Sequence, residues 1–498
     1  MASMLPGSTD PGSASGKSDL SFQAVQAIGA IVSFCSASSN QSTPLVSLIP
    51  LRQGELEDWL QSAAPNHRQW AESSGFKASP GQFCAMAGPE NELSFVVFGA
   101  QENGWLSQLC ALYAKLPEGV YRLSSNWDRE QRLQASLGWG LAAYRFERYK
   151  KNKAPTAILQ LDEDIEEDVR ALCDAQCLVR DLVNTPTEHM GPEQLADAVS
   201  AQADLLGGKI HTVLGEDLLT RNFPAIHAVG RASDREPRLL QMTWGDEDAP
   251  LLVLVGKGVC FDTGGLDLKT TAGMALMKKD MGGGAHGLAL ARLVMQYRLP
   301  VRLLLLIPAV ENSVSGNAYR PGDVVSTRKG LSVEIGNTDA EGRVVLSDAL
   351  AYACEQSPDL VIDFATLTGA ARIAMGPELT PLFSNHIEIA RAIQDAGEQV
   401  EDPMWTMPLY QPYRKMIESP IADLNNSGKS SYGGCITAAL FLEHFVEPEI
   451  PWVHIDTFAW NQADQPGRPQ GGEALGLRAV FHFLQSRYSQ GDAPPAKQ

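Results

Sequence analysis

Four apolar runs punctuate the later part of the chain: PLLVLVG (250–256), VRLLLLIPA (301–309), DLVIDFAT (359–366) and WVHIDTFA (452–459). None alternates cleanly between polar and apolar residues. Continuous runs of this length suit strands covered on both faces, which predicts a mostly parallel sheet. Between them AHGLALARLVMQYR (285–298) and VLSDALAYACEQ (345–356) carry apolar residues at helical spacing. The rhythm is that of βαβ units, in which ligands gather beyond the carboxyl ends of the strands.

The earlier part reads differently. PLVSLIPL (44–51) and LSFVVFGA (93–100) predict strands, and GELEDWLQSA (54–63) and LSQLCALYAKL (106–116) predict helices. Between the two parts lies LDEDIEEDVRALCDAQCLVRDLV (161–183), acidic at its start and helically periodic later, as a helix N-terminus favours. The expected organisation is a disordered arm at 1–21, a smaller N-terminal α/β domain at 22–160 and a linker helix at 161–185. A larger C-terminal α/β domain at 186–488 and a disordered tail at 489–498 complete it. The arm lacks the basic and apolar regions of a signal peptide. No apolar stretch reaches membrane-spanning length; LPVRLLLLIPAV is interrupted by Arg302 and bounded by prolines.

Composition adds two constraints. With 59 acidic and 40 basic residues the formal net charge is −19, a balance that repels nucleic acid and anionic membranes. Eight cysteines without a C-x-x-C pair point to a reducing, cytoplasmic compartment.

The candidate chemistry lies just after the predicted strands. In VGKGVCFDTGGLDLKTTAGMALMKKDMGGG (255–284), Lys257, Asp262, Lys269 and Asp280 sit among glycines and apolar residues. A phosphate-binding loop would place Ser or Thr after the Gly-Lys pair, where Gly258 stands, and no G-x-G-x-x-G occurs. Further on, NTDAEGR (337–343) gathers Asp339, Glu341 and Arg343. Drawn as an extended strand, it projects Asn337, Asp339, Glu341 and Arg343 to one side and small residues to the other. Two carboxylates so close repel one another, more so when buried, and a divalent cation is the economical compensation. Oxygen-rich sites of this kind suit Mg²⁺, Mn²⁺ or Zn²⁺. H-E-x-x-H and G-x-S-x-G are both absent. His286 reads as a structural residue, or one supporting the site from behind. Cys260 and Cys435 are the candidates for thiol chemistry, and Cys260 falls in a strand exit where a buried, inert thiol is expected.

These segments resemble the leucyl aminopeptidase (cytosol aminopeptidase, M17) family. NTDAEGR is similar to its signature heptapeptide, and VGKGVCFDTGG with Lys269 and MKKDMGG to its other metal-binding stretch. DFATLTGA, ITAALFLEHF and HIDTFAWN…GRPQGGEALGLRAV resemble its later segments. The resemblance covers about 165–490 strongly and the N-terminal domain loosely. It implies a metal-dependent aminopeptidase holding two divalent ions, Zn²⁺ or Mn²⁺. Asp262, Asp339 and Glu341 would hold one ion, and Lys257, Asp262, Asp280 and Glu341 the other. It further implies Lys269 and Arg343 as catalytic residues, with a bicarbonate at Arg343. Met277, Thr366, Leu367 and Gly369 would form the pocket for a Leu-like first side chain. The implied assembly is a homohexamer acting on peptides. Some family members also bind DNA, an additional or alternative role that the acidic balance argues against. Two departures from the family pattern, Val344 and Gly284, lie beside the expected ligands without removing a functional group.

Overall fold

The computed structural model describes residues 33–37, 44–151 and 156–489. The arm expected at 1–21 lies outside them, as do residues 490–498 of the expected tail; Ser489 closes the last helix. The N-terminal sheet contains β1 (Phe34–Ser36), β2 (Leu45–Leu51), β3 (Phe83–Ala87), β4 (Leu93–Gly99), β5 (Gly119–Leu123) and β6 (Ala157–Leu161). Their order is β1-β6-β5-β2-β4-β3, parallel except for β3 at one edge. One expectation fails here. LSQLCALYAKL does not form a continuous helix; it breaks into a tight turn at Trp105–Ser107 and a single helical turn at Cys110–Tyr113. Long-range contacts hold the two pieces. Glu401 takes the backbone N–H groups of Trp105 and Leu106, and Cys110 Sγ lies 3.1 and 3.2 Å from the carbonyl oxygens of Leu106 and Gly138.

The second sheet contains β7 (Lys209–Leu214), β8 (Arg238–Trp244), β9 (Leu251–Gly256), β10 (Gly258–Asp262) and β11 (Arg302–Asn312). After a small separate sheet formed by β12 (Val324–Ser326), β13 (Ser332–Glu334) and β17 (Leu424–Asn425), it takes β14 (Leu360–Ala365), β15 (Thr380–Ser384), β16 (Met404–Thr406) and β18 (Trp452–Asp456). The order is β16-β15-β18-β14-β9-β11-β8-β7, with β10 added against β11. Strands β9, β10, β11, β14 and β18 run parallel. The absence of alternation in the apolar runs now has its reason. Leu252 and Leu254 enter a core beneath the helices Gly282–Gln296 and Leu477–Ser489. Leu251, Val253 and Val255 enter a second core beneath Glu341–Glu355 and Gly434–Glu443. Successive residues of one strand thus feed two cores, and both positions must be apolar.

The helix Glu166–Asn184 belongs to both parts of the molecule. Val169 and Cys173 pack into the N-terminal core, and Ala171, Ala175, Leu178 and Leu182 into the C-terminal one. Its buried Arg180 pairs with Glu473 at 3.1 Å and donates to the carbonyls of Leu141 and Gly467. Among the described residues no helix is long and apolar enough to cross a membrane.

Candidate active site

Five parallel strands deliver their carboxyl ends to one place. Lys257 follows β9, its N–H donating to the Phe364 carbonyl at 2.9 Å and its carbonyl accepting from Gly284. Asp262 ends β10, Asn312 ends β11, Thr366 follows β14 and Asp456 ends β18. Two helices start against the same region. Asp280 lies in the tight turn Met277–Met281 leading into Gly282–Gln296, and Glu341 is the first residue of Glu341–Glu355. Helix N-termini favour nearby anions.

The heptapeptide is not extended. Residues 337–340 form a turn and the helix begins at Glu341, so side chains do not alternate as a strand would place them. The Asn337 side chain folds back instead, its Oδ1 accepting from the Asp339 N–H at 2.8 Å. Asn426 holds the turn from outside, accepting from Gly336 N and Asn337 N and donating to the Asn337 and Ala340 carbonyls. A turn brings Asp339 and Glu341 to the site from either side of a tight bend, and Gly342 lets the Lys257 side chain pass directly over the backbone. A Cβ at Gly342 would lie 2.6 Å from Lys257 Cε.

Oxygen atoms of the buried Asp262, Asp280 and Glu341 carboxylates converge within 4.8 Å of one another. Lys257 Nζ lies 2.7 Å from Asp280 Oδ2 and 2.7 Å from Glu341 Oε1, and donates to the Thr366 carbonyl at 3.3 Å. Lys269 Nζ lies 2.8 Å from Asp262 Oδ2 and pairs with Asp339 Oδ1, which draws the half-exposed Asp339 to the cluster's open edge. Asp280 Oδ2, Asp339 Oδ1 and Glu341 Oε1 are buried, and the two lysine ammonium groups are their partners.

Four carboxylates therefore face two ammonium groups, and the imbalance registers in their proton affinities. Burial, with Asp280 alongside, pushes the Asp262 carboxyl up to about 6, and burial with Asp262 alongside pushes Glu341 up as well. For Asp280 burial acts in the same direction, but Lys257 and Lys279 outweigh it and hold the carboxyl below its ordinary value. Burial disfavours the charged form of Lys257, yet Asp280, Glu341 and Asp262 together raise its pKa. A cluster of converging buried carboxylates with too little positive charge fits divalent cations of the hard or borderline kind.

The remaining expected residues divide between the cluster and its surroundings. Thr366 belongs to the cluster: its hydroxyl donates to Asp280 Oδ1 at 2.7 Å. Arg343 is buried behind it, donating to the Asn426 carbonyl at 2.8 Å with its Nε unpartnered, and burial lowers its pKa to about 10. Met277 is half-buried at the start of the turn that ends near Asp280, and Gly369 is exposed with open space at its Cα. The Leu367 N–H is already taken by Asp456 Oδ1 at 3.0 Å, leaving only its carbonyl for a ligand. Apart from the site stands His286. Its Nδ1 faces the Gly282 carbonyl at 2.7 Å, its Nε2 accepts from Leu475 N at 3.0 Å, and burial lowers its pKa to about 4. It is a neutral structural histidine. Cys260 and Cys435 are buried, and burial raises both thiols, so neither is a poised nucleophile. Val344 is fully buried in the second core, and a Cβ at Gly284 would meet Ile307 Cγ2 at 3.1 Å.

Several residues that pattern reading passed over support the site. Asp456 holds the loop after β14 by accepting from Leu367 N, Thr368 N, the Thr368 hydroxyl and Arg372. Asn312, Tyr319 and Asp267 surround Thr338 in the heptapeptide. The one available signal was position: Asn312 and Asp456 are polar residues ending apolar strand runs.

Residues 177–481 match the catalytic-domain model of the cytosol aminopeptidase family. The chain belongs to that family. Residues 46–162 match the N-terminal domain model of M17 aminopeptidases. A probable cytosol aminopeptidase of Syntrophotalea carbinolica is 41% identical over 364 residues, 69% of this chain and 73% of the relative. The crystal structure of a cytosol aminopeptidase from Coxiella burnetii superposes with a TM-score of 0.89 at 48% identity, covering 91% of this chain and 99% of that one. The bottromycin maturation enzyme BotP, solved in complex with Mn, superposes with a TM-score of 0.80 at 30% identity over 89% of this chain and 99% of its own. As a cytosol aminopeptidase family member the chain is a metallo-aminopeptidase, a hydrolase that binds divalent metal.

Proposed function

We propose that the protein removes the N-terminal residue of peptides, with preference for Leu-like apolar side chains, at the cluster of Lys257, Asp262, Asp280, Asp339 and Glu341. The observation that carries this reading is the buried convergence of the Asp262, Asp280 and Glu341 carboxylates against too few positive charges to balance them. Asp262, Asp339 and Glu341 would hold one divalent ion; Lys257, Asp262, Asp280 and Glu341 would hold a second, with Zn²⁺ or Mn²⁺ as the candidates. Bound there, such ions supply a water of lowered pKa and Lewis-acid polarisation of a carbonyl. Lys257 ligates only as the neutral amine, so loading releases its proton.

The protein's own groups do the rest. Asp280 receives the substrate's free α-amine, which confines cleavage to the first peptide bond. Lys269, 15% exposed and so on the open side of the cluster, meets the reacting carbonyl oxygen and stabilises the charge that develops on it. Arg343, with its buried and unpartnered Nε, holds a bicarbonate that carries protons between water and leaving amine. Met277 and Thr366 flank the first side chain, Met277 as an adaptable apolar wall. The setting is a cytoplasmic homohexamer, as the relatives' family name and the sequence resemblance suggest.

The test is residue release from a dipeptide panel by metal-free, Zn²⁺-loaded and Mn²⁺-loaded protein, alongside Asp339→Ala. Leu-initiated dipeptides should be the best substrates, the variant should be inactive, and acetylating the substrate amine should abolish turnover. Efficient cleavage of acetylated peptides would remove the amine-anchoring role of Asp280.

A further inference from the structure

We propose that Asn312 is a positioning residue that sets the aim of Asp262 and the spacing of the two loops bearing the metal ligands. The inference rests on the metal-site reading above.

Asn312 is the last residue of β11, directly opposite Asp262 in the β10–β11 register, and is 1% exposed. Its Nδ2 carries two protons and uses both. One goes to Asp262 Oδ1 at 2.8 Å, the other to the Thr338 carbonyl at 3.0 Å. Both acceptors lack a proton to give, so the amide orientation is fixed by chemistry. Gly264 N also donates to Asp262 Oδ1 at 2.8 Å. One oxygen of the aspartate is thereby capped by two N–H groups, and Oδ2 alone is left to face Lys269 and the cluster. The second bond reaches the turn carrying Asp339 and Glu341. That turn is tied to the Asp262 loop elsewhere too. The Thr338 hydroxyl donates to the Gly264 carbonyl at 2.6 Å and accepts from Asp267 N at 2.8 Å, while Thr338 N donates to Asp267 Oδ2 at 2.8 Å. Asn312 is the member of this network that touches a carboxylate of the cluster and the opposite loop with one side chain.

No other side chain of this length offers two N–H donors from one atom. Leu would fill the space and leave Asp262 free to rotate about its remaining Gly264 bond; Asp would set acceptor against acceptor. Partners of this kind typically set metal affinity by about 10–100-fold.

The experiment titrates metal-free protein with Mn²⁺ by calorimetry, comparing wild type, Asn312→Leu, Asn312→Ser and Asp262→Asn. Circular dichroism confirms folding, and thermal melts are run without metal. Both Asn312 variants should bind Mn²⁺ about 10–100-fold more weakly than wild type, and much of the lost activity should return at saturating Mn²⁺. A merely structural role would lower the metal-free melting temperature and leave the Mn²⁺ affinity unmoved. Should Asn312→Leu fail to fold, Asn312→Ser decides. Wild-type affinity in the folded variants, with binding lost in Asp262→Asn, overturns this inference alone. A wild-type protein that binds no Mn²⁺ overturns the metal reading and this inference with it.

Discussion

Gly342 offers a way to disturb the site without touching a charged group. In Gly342→Ala the added Cβ would lie 2.6 Å from Lys257 Cε, 2.7 Å from Nζ and 2.8 Å from Cδ. Ordinary carbon–carbon contact is about 3.5–4.0 Å, so the lysine must retreat by roughly 1 Å. It has little room to do so, because Nζ sits 2.7 Å from both Asp280 and Glu341, the carboxylates with which it would share an ion. A displacement of about 1 Å in a catalytic constellation costs about 100-fold in rate, or about 2.7 kcal/mol of transition-state stabilisation. Stability should fall by no more than a comparable amount. Overpacking costs about 1–3 kcal/mol, and replacing glycine near the start of the helix Glu341–Glu355 returns up to about 1 kcal/mol. The expected variant is folded, slightly destabilised and about 100-fold slower in kcat/KM towards leucine p-nitroanilide. Denaturant melts run beside the kinetics separate the two effects. Wild-type kcat/KM would refute the claim that Lys257 is held in place over Gly342, and so would a rate loss fully explained by unfolding.

Three further outcomes are expected. Lys269→Met keeps the stem and removes the ammonium, and should lower kcat by about 10²–10³-fold with a smaller change in KM, as loss of one oxyanion donor does; steady-state kinetics at saturating metal read it. His286 is neutral when folded, its pKa lowered to about 4 by burial, whereas the unfolded chain titrates near the ordinary 6.5. Its contribution to stability is therefore present above about pH 6.5 and lost as pH falls towards 4, on the order of 3 kcal/mol, and denaturation of His286→Asn against wild type across that window should show a flatter pH profile for the variant. Loading metal-free protein with Mn²⁺ at about 100 times its dissociation constant should add about 2.7 kcal/mol of stability, visible as a higher melting temperature in wild type and not in Asp262→Asn.

The large features of the fold were written in its apolar runs, because strands fed from two cores cannot carry the alternation of a half-exposed sheet. The runs at 250–256, 301–309, 359–366 and 452–459 all became strands of the mixed, mostly parallel sheet. The site chemistry was legible as charged residues just beyond those runs. Geometry was less so. Asp339 and Glu341 could be drawn as neighbours on a strand, but the Asn337 side chain and Asn426 satisfy the backbone in a turn, and tertiary hydrogen bonds are invisible to local pattern. The same blindness hid Asn312 and Asp456. Each is one polar residue at a strand end, and only the folded chain shows that it meets Asp262 or the loop at Leu367. The start of the segment 106–116 is likewise held by Glu401, almost 300 residues away, whose carboxylate no helical periodicity anticipates.

Release of the N-terminal residue should require metal at the buried cluster. The direct measurement follows leucine release from a Leu-initiated dipeptide while metal-free protein is titrated with Mn²⁺, for wild type and Glu341→Gln. Activity should start near zero, rise and level off at about two ions per chain in wild type, and stay near zero in the variant. Full activity in the metal-free protein, or an unchanged titration in Glu341→Gln, would contradict it.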